Sequence, residues 1–143
     1  MRVLIDADGC PVVGITVNLC RQYNAECIIF CDTSHEFGRY GVECIICSKG
    51  ADSVDFALVN YAKAVDVVIT QDFGLAGMCL ARECTVFRQD GLEYTQDNID
   101  ALLTSRHISQ KIRRSGGRLK GNTKRTRELD IAFESALRKH LEK

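Results

Sequence analysis

One proline in 143 residues leaves no proline-rich linker between domains, and no apolar run approaches the roughly 20 residues of a membrane span. The amino terminus, MRVLIDADGCP, reaches Asp6 before the apolar stretch of a secretory signal could form. Internal repeats are lacking as well. These absences predict a single domain over residues 1–143, neither exported nor inserted in a membrane. At 45% hydrophobic and 27% charged, the chain can bury a core of its own.

Without an export signal, the eight cysteines predict reduced thiols in a cytoplasmic protein, not a disulfide framework. Cys44 and Cys47 have CxxC spacing, but the run VECIIC is strand-like, and residues three apart on a strand point to opposite faces. Small buried hydrophobes are the expectation for these thiols.

Net charge is zero, yet one stretch lacks acids altogether. Between Ala101 and Arg127 there are nine basic residues and no acidic one, which leaves ten basic against nineteen acidic residues in the rest. A basic stripe on an acidic body suits a polyanionic partner, although it reads equally as a solvated face.

Short β-branched runs alternate with helical periodicity, the pattern of βαβ units and an α/β fold with a parallel sheet. Strands are expected at Val3–Ile5, Cys27–Cys31, Glu43–Cys47, Val67–Thr70 and Thr85–Phe87. Helices are expected from Pro11 to Tyr23, from Asp52 or Ser53 through Tyr61, and from Gly74 to a point before Glu83. A further capped helix covers TQDNIDALL, with Thr95 or Asp97 as cap, and its apolar pattern then stops. Residues 106–127 read as a basic flexible segment, and 127–141 as a helix docking through Leu129, Ala132, Phe133, Ala136 and Leu137.

In parallel α/β sheets, ligands bind off the carboxyl ends of the strands, where strand order reverses. Asp6 and Asp8 follow the first strand, Asp32 the second and Asp72 the fourth, while Asp52 and Asp55 open a helix past the third. Acids at several strand ends can meet on one rim, and such a cluster needs a cation. Hard oxygen donors without adjacent His or Cys favour Mg²⁺ or Mn²⁺, and two such ions can drive phosphodiester hydrolysis. Each acid also has a plainer reading: Asp52 as an N-cap, Asp32 as a turn former, Asp66 and Asp90 as solvated groups. His35 and His107 stand alone and read as loop or surface hydrogen-bonding groups.

The segments Asp6-Ala-Asp-Gly-Cys-Pro-Val12, Lys49-Gly-Ala-Asp-Ser-Val-Asp55, Val68-Ile-Thr-Gln-Asp-Phe-Gly-Leu-Ala76 and Gly116-Gly-Arg with Lys124-Arg-Thr-Arg127 span nearly the whole chain. Together they resemble the YaiI/YqxD family, which is similar to PIN-like domains, α/β folds whose acids bind Mg²⁺ or Mn²⁺ in many ribonucleases. The resemblance implies a three-layer PIN-like fold with a mostly parallel sheet of about five strands flanked by helices. It implies Asp6, Asp8, Asp52 and Asp72 as metal ligands, with Asp55 joining them in catalysis or replacing Asp52 as the helix acid. Arg113, Arg114, Arg118, Lys120, Lys124, Arg125 and Arg127 would hold nucleic acid, most simply single-stranded RNA. Gly9 departs from the alanine more usual in the family's first motif, and Glu128-Leu129-Asp130 from its usual consecutive acids.

Two rival functions use the same residues. The segment DADGC resembles the DxDGT motif of haloacid-dehalogenase phosphatases, with Asp6 as nucleophile, Asp8 as acid/base, Thr33 and Lys49 on phosphate and Asp52 or Asp55 on Mg²⁺. Alternatively, the basic stripe binds RNA and no reaction follows.

Overall fold

A computed structural model describes residues 1–34, 36–50, 52–114 and 124–143, apart from the side chains of 106–110 and 112–114. Five parallel strands and a short antiparallel sixth form one sheet: β1 (Arg2–Asp6), β2 (Glu26–Asp32), β3 (Glu43–Cys47), β4 (Val67–Ile69), β5 (Thr85–Phe87) and β6 (Glu93–Tyr94). The spatial order is β3-β2-β1-β4-β5-β6. Five helices flank it: α1 (Val13–Gln22), α2 (Ser53–Tyr61), α3 (Phe73–Ala81), α4 (Gln96–Arg114) and α5 (Arg127–Leu141). The result is a three-layer α/β fold. No helix among the described residues is long and apolar enough to cross a membrane.

The layers follow from the strands' period of two. Val3 and Ile5 of β1 face α1 and α5, together with Ile29, Val67, Ile69 and Phe133. Leu4 faces the other side, with Ile28, Phe30, Val68, Leu58 of α2 and Leu75 of α3. With both faces covered, the central strands are apolar at successive positions, and Val3, Leu4 and Ile5 are fully buried. α5 contributes Phe133, Leu137 and Leu141, four residues apart and all buried, each adding about 1.5–3 kcal/mol of burial.

The expected mostly parallel sheet of about five strands carries a short sixth, because the chain turns at Arg88–Leu92 and pairs Glu93 and Tyr94 back onto β5. The fourth helix does not stop at Leu103 but runs to Arg114. Its start is fixed reciprocally: the Asn98 side chain accepts from Thr95 N–H at 2.9 Å, and Thr95 Oγ1 accepts from Asn98 N–H at 3.2 Å. The expected flexible segment therefore divides between α4 through Arg114, residues 115–123 outside the described ones, and the approach to α5.

The β5–β6 turn depends on Gly91, whose φ of +92° is open to glycine, and a Cβ there would meet the Ala132 carbonyl oxygen of α5 at 2.7 Å. Gly91→Ala should cost about 2–4 kcal/mol, from strain and from lifting α5 off the sheet, read as a lower midpoint in urea unfolding.

Candidate functional site

β1 leads by way of β2 to one edge of the sheet, and β4 leads by way of β5 to the other, so strand order reverses between β1 and β4. Their carboxyl ends open the crevice where α/β folds bind ligands. Asp6 ends β1, in register to put it beside the residue that follows β4, Thr70. The buried Thr70 hydroxyl donates to Asp6 Oδ2 at 2.7 Å and accepts from Asp72 N–H at 3.0 Å. Thr70 thus couples two acids that lie 66 residues apart in the chain. Sequence reasoning used it only as the end of a strand; its signal was a threonine two residues before an acid at a helix start.

Asp72 is the N-cap of α3, with Oδ1 accepting from Leu75 N–H at 3.1 Å. Asp55, in the first turn of α2, lines one cleft with Asp52 and Asp72. Burial, then Asp72 and Asp52, push the Asp55 carboxyl up. Acids gathered in one cleft raise one another's affinity for a proton or a cation. Asp6 is pushed up to about 6, chiefly by burial, with Asp55, Asp72 and Asp8 adding to the rise and the Thr70 bond opposing it.

The other expected residues take different positions. Asp52 holds the N-cap position of α2 in a left-handed conformation (φ 66°) but makes no side-chain cap bond, and it stands exposed at the mouth. Asp8 turns toward β2, where Oδ2 accepts from Asp32 N–H at 3.0 Å. Asp32 accepts from Ser34 N–H at 2.8 Å, the turn-forming role read from the sequence. Among the described residues, no three of Asp, Glu, His and Cys form a ready-made metal group.

Asp66 and Asp90, read as solvated, are instead ion-paired. Asp66 is buried against Arg2 Nη2 at 2.5 Å, and Asp90 meets Arg88 Nη2 at 2.6 Å. Each partner comes from tertiary or turn geometry that composition does not reveal. The described ion pairs also include Arg125–Asp130 and Arg138–Glu134, and none of the four involves Asp6, Asp55 or Asp72. All eight cysteines are free thiols, and burial pushes Cys10 and Cys31 up to about 11.

Of the expected nucleic-acid contacts, Lys124 and Arg127 are exposed at the start of α5. Arg125 is folded inward, donating from Nε to Asp130 at 2.8 Å and from Nη2 to the Gln89 carbonyl at 2.7 Å. Arg113 and Arg114 lie in α4 with their side chains outside the description, as is that of His107; Arg118, Lys120 and His35 lie outside the described residues. Two hollows meet residues at the start of α3: a cleft of about 310 Å³ bounded by Asp52, Asp55, Phe56, Asp72 and Met78, and a cavity of about 730 Å³ bounded by Gln71, Phe73, Arg88 and Arg125.

The profile described as "Uncharacterized BCR, YaiI/YqxD family" matches residues 4–143. The chain belongs to the YaiI/YqxD family. A UPF0178 protein of Exiguobacterium sibiricum is 50% identical over 136 residues, covering 95% of this chain and 93% of its own. Similar proteins of the same name occur in Ruminiclostridium cellulolyticum (45% over 137 residues, 96% and 90% covered) and Clostridium acetobutylicum (41% over 141 residues, 97% and 95% covered). No solved structure matches the chain. YaiI/YqxD membership therefore carries no assigned activity, and the chemistry must be argued from the acids.

Burial pushes the folded Asp6 carboxyl up to about 6, against roughly 3.9 when unfolded, so the native state holds a proton that the unfolded chain releases between those values. Stability falls as pH rises through this window, and above it the ionised carboxylate is a standing cost. Asp6→Asn, which keeps an oxygen for Thr70 to donate to, should raise stability at pH 8 by about 1–2 kcal/mol and change little at pH 4, as read by chemical denaturation.

Proposed function

We propose that this YaiI/YqxD protein is a PIN-like hydrolase, dependent on Mg²⁺ or Mn²⁺, that cuts phosphodiester bonds of single-stranded RNA. The observation that carries this reading is the cleft that Asp52, Asp55 and Asp72 line together, beside a half-buried Asp6, at the strand-order reversal. The donor set fits the ion: Mg²⁺ keeps several waters and takes one or two carboxylates plus substrate phosphate, so a pair suffices where three protein ligands do not converge. Asp55 and Asp72 would hold it, with Asp52 at the mouth and Asp8 behind Asp6 adding negative charge. When bound, such an ion supplies an activated water and charge stabilisation at the leaving oxygen.

The chain's own groups account for the rest. Asp6, titrating at about 6 with Oδ2 held by Thr70, can take up or return a proton near neutral pH. Exposed Lys124 and Arg127 would steer the phosphate backbone, joined by Arg113, Arg114, Arg118 and Lys120. Arg125, tied to Asp130 and Gln89, would meet phosphate from one fixed position, with the guanidinium edge those bonds leave open. A reducing cytoplasm suits the free thiols.

Incubating a single-stranded oligoribonucleotide with the protein and Mn²⁺ should yield cleavage that EDTA abolishes. Asp6→Asn and Asp72→Asn should each lower the rate by about a hundredfold or more. Both should leave RNA binding intact or tighter, because a repelling charge is gone. Wild-type protein that binds RNA without cutting it in Mn²⁺ would overturn the hydrolase and leave a binding module. An aspartyl-phosphate mimic trapped at Asp6 by beryllofluoride would overturn it in favour of a phosphatase.

A further inference from the structure

The cavity of about 730 Å³ shares no lining residue with the carboxylate cleft and has a different chemistry. Its size falls within the roughly 300–1,000 Å³ of small-ligand sites. Phe73, the residue after Asp72, forms part of its wall, and Leu129 of α5 faces it. Two guanidinium groups, Arg88 from the end of β5 and Arg125 from the approach to α5, border the same space.

Both arginines are held in place before any ligand arrives. Arg88 gives Nε and Nη2 to the two Asp90 oxygens, at 2.9 and 2.6 Å. Arg125 gives Nε to Asp130 and Nη2 to the Gln89 carbonyl. A guanidinium carries five N–H donors, and these bonds occupy two on each, so a planar edge of each remains for an anion. Because the clamps have already ordered the side chains, little further rotamer entropy is lost on binding. Phe73 meets Tyr94 edge-on, with ring centroids 6.3 Å apart, which steadies the aromatic wall.

We propose that this cavity is the subsite for one nucleoside monophosphate unit, its phosphate on Arg88 and Arg125 and its nucleoside against Phe73 and Leu129. The ligand class rests on the nucleic-acid reading above, and the subsite would seat the nucleotide next to the bond lying over Asp55 and Asp72. Asp90 also borders the cavity and opposes the phosphate, so affinity is modest and the carboxylate can be used as a probe.

The test titrates the full-length protein, in EDTA, with adenosine 5′-monophosphate and separately with inorganic phosphate, by calorimetry or NMR. Neither metal nor turnover enters, so absence of RNA cleavage does not touch this proposal, and absence of nucleotide binding does not touch the hydrolase. Saturable binding of the nucleotide, more weakly matched by phosphate, is expected. Arg125→Gln should weaken nucleotide binding about tenfold. Asp90→Asn, which keeps the Oδ1 oxygen that accepts from Leu92 N–H and Arg88 Nε, should tighten it severalfold. Leu129→Trp, which narrows the cavity, should weaken nucleotide binding and spare phosphate. No saturable nucleotide binding by the wild type overturns the proposal, as does equal affinity for phosphate and nucleotide. Unchanged affinity in both Arg125→Gln and Asp90→Asn overturns it too. Should Arg125→Gln fail to fold, Asp90→Asn decides alone: tighter binding supports the subsite and unchanged binding overturns it.

Discussion

The parallel pairing of β1 with β4 is the constraint on which the rest of the structure depends. Val3, Leu4 and Ile5 lie opposite Val67, Val68 and Ile69, and all six side chains are fully buried. That register leaves no freedom to slide, since a shift of one residue would exchange the two faces of the core. Its consequence appears one residue beyond the pairing, where Thr70 reaches Asp6 with its hydroxyl and receives the backbone N–H of Asp72. The acids meet because the core beneath them is locked, and the burial that locks it also pushes Asp6 up to about 6.

Legibility in the sequence follows the physics of each element. The central strands β1, β2 and β4 stand out because burial on both faces demands unbroken apolar runs, and the expected limits of all five parallel strands differ from the observed ones by one residue at most. β6 is different in kind. Glu93 and Tyr94 are too few to show a period, and they are a strand only because the Gly91 turn returns them to β5. The second half of α4 has no apolar stripe to announce it and is carried forward by a helix already nucleated at Thr95 and Asn98 and packed on α3.

The candidate site was legible to the level of residue type and strand end, not to the level of contact. Both Asp52 and Asp55 suit a helix start by composition, and capping preference favours the earlier one. In three dimensions Asp52 has a left-handed backbone and is exposed, while Asp55, in the first turn of the helix, is half-buried, and burial and Asp72 push its carboxyl up. Arg125 shows the same limit with opposite sign. Counted along the chain it is one cation in a basic stripe, yet its Nη2 partner is a carbonyl 36 residues away. Local pattern reports what a residue can do, and tertiary partners decide which of those things it does.

The two ends of the β1–β4 pair divide stability from chemistry. At the amino end, Arg2 of β1 donates twice to Asp66, the residue before β4, and the same carboxylate accepts from Lys63 N–H at 2.8 Å. The Arg2 guanidinium also lies 4.6 Å from the centre of the Tyr61 ring. Every charge there is matched by an opposite one, which is the arrangement that makes a buried ion tolerable. At the carboxyl end the same strands present Asp6 and Asp72 to Asp55, like against like, held by a neutral threonine. Asp72 repays folding as the cap of α3, but the mutual repulsion of the acids is a cost that the Arg2–Asp66 end of the same strands does not carry. The two ends of one pair of strands therefore differ in electrostatics: the amino end pairs its buried acid with an arginine, and the carboxyl end gathers acids whose charges raise one another's proton affinity.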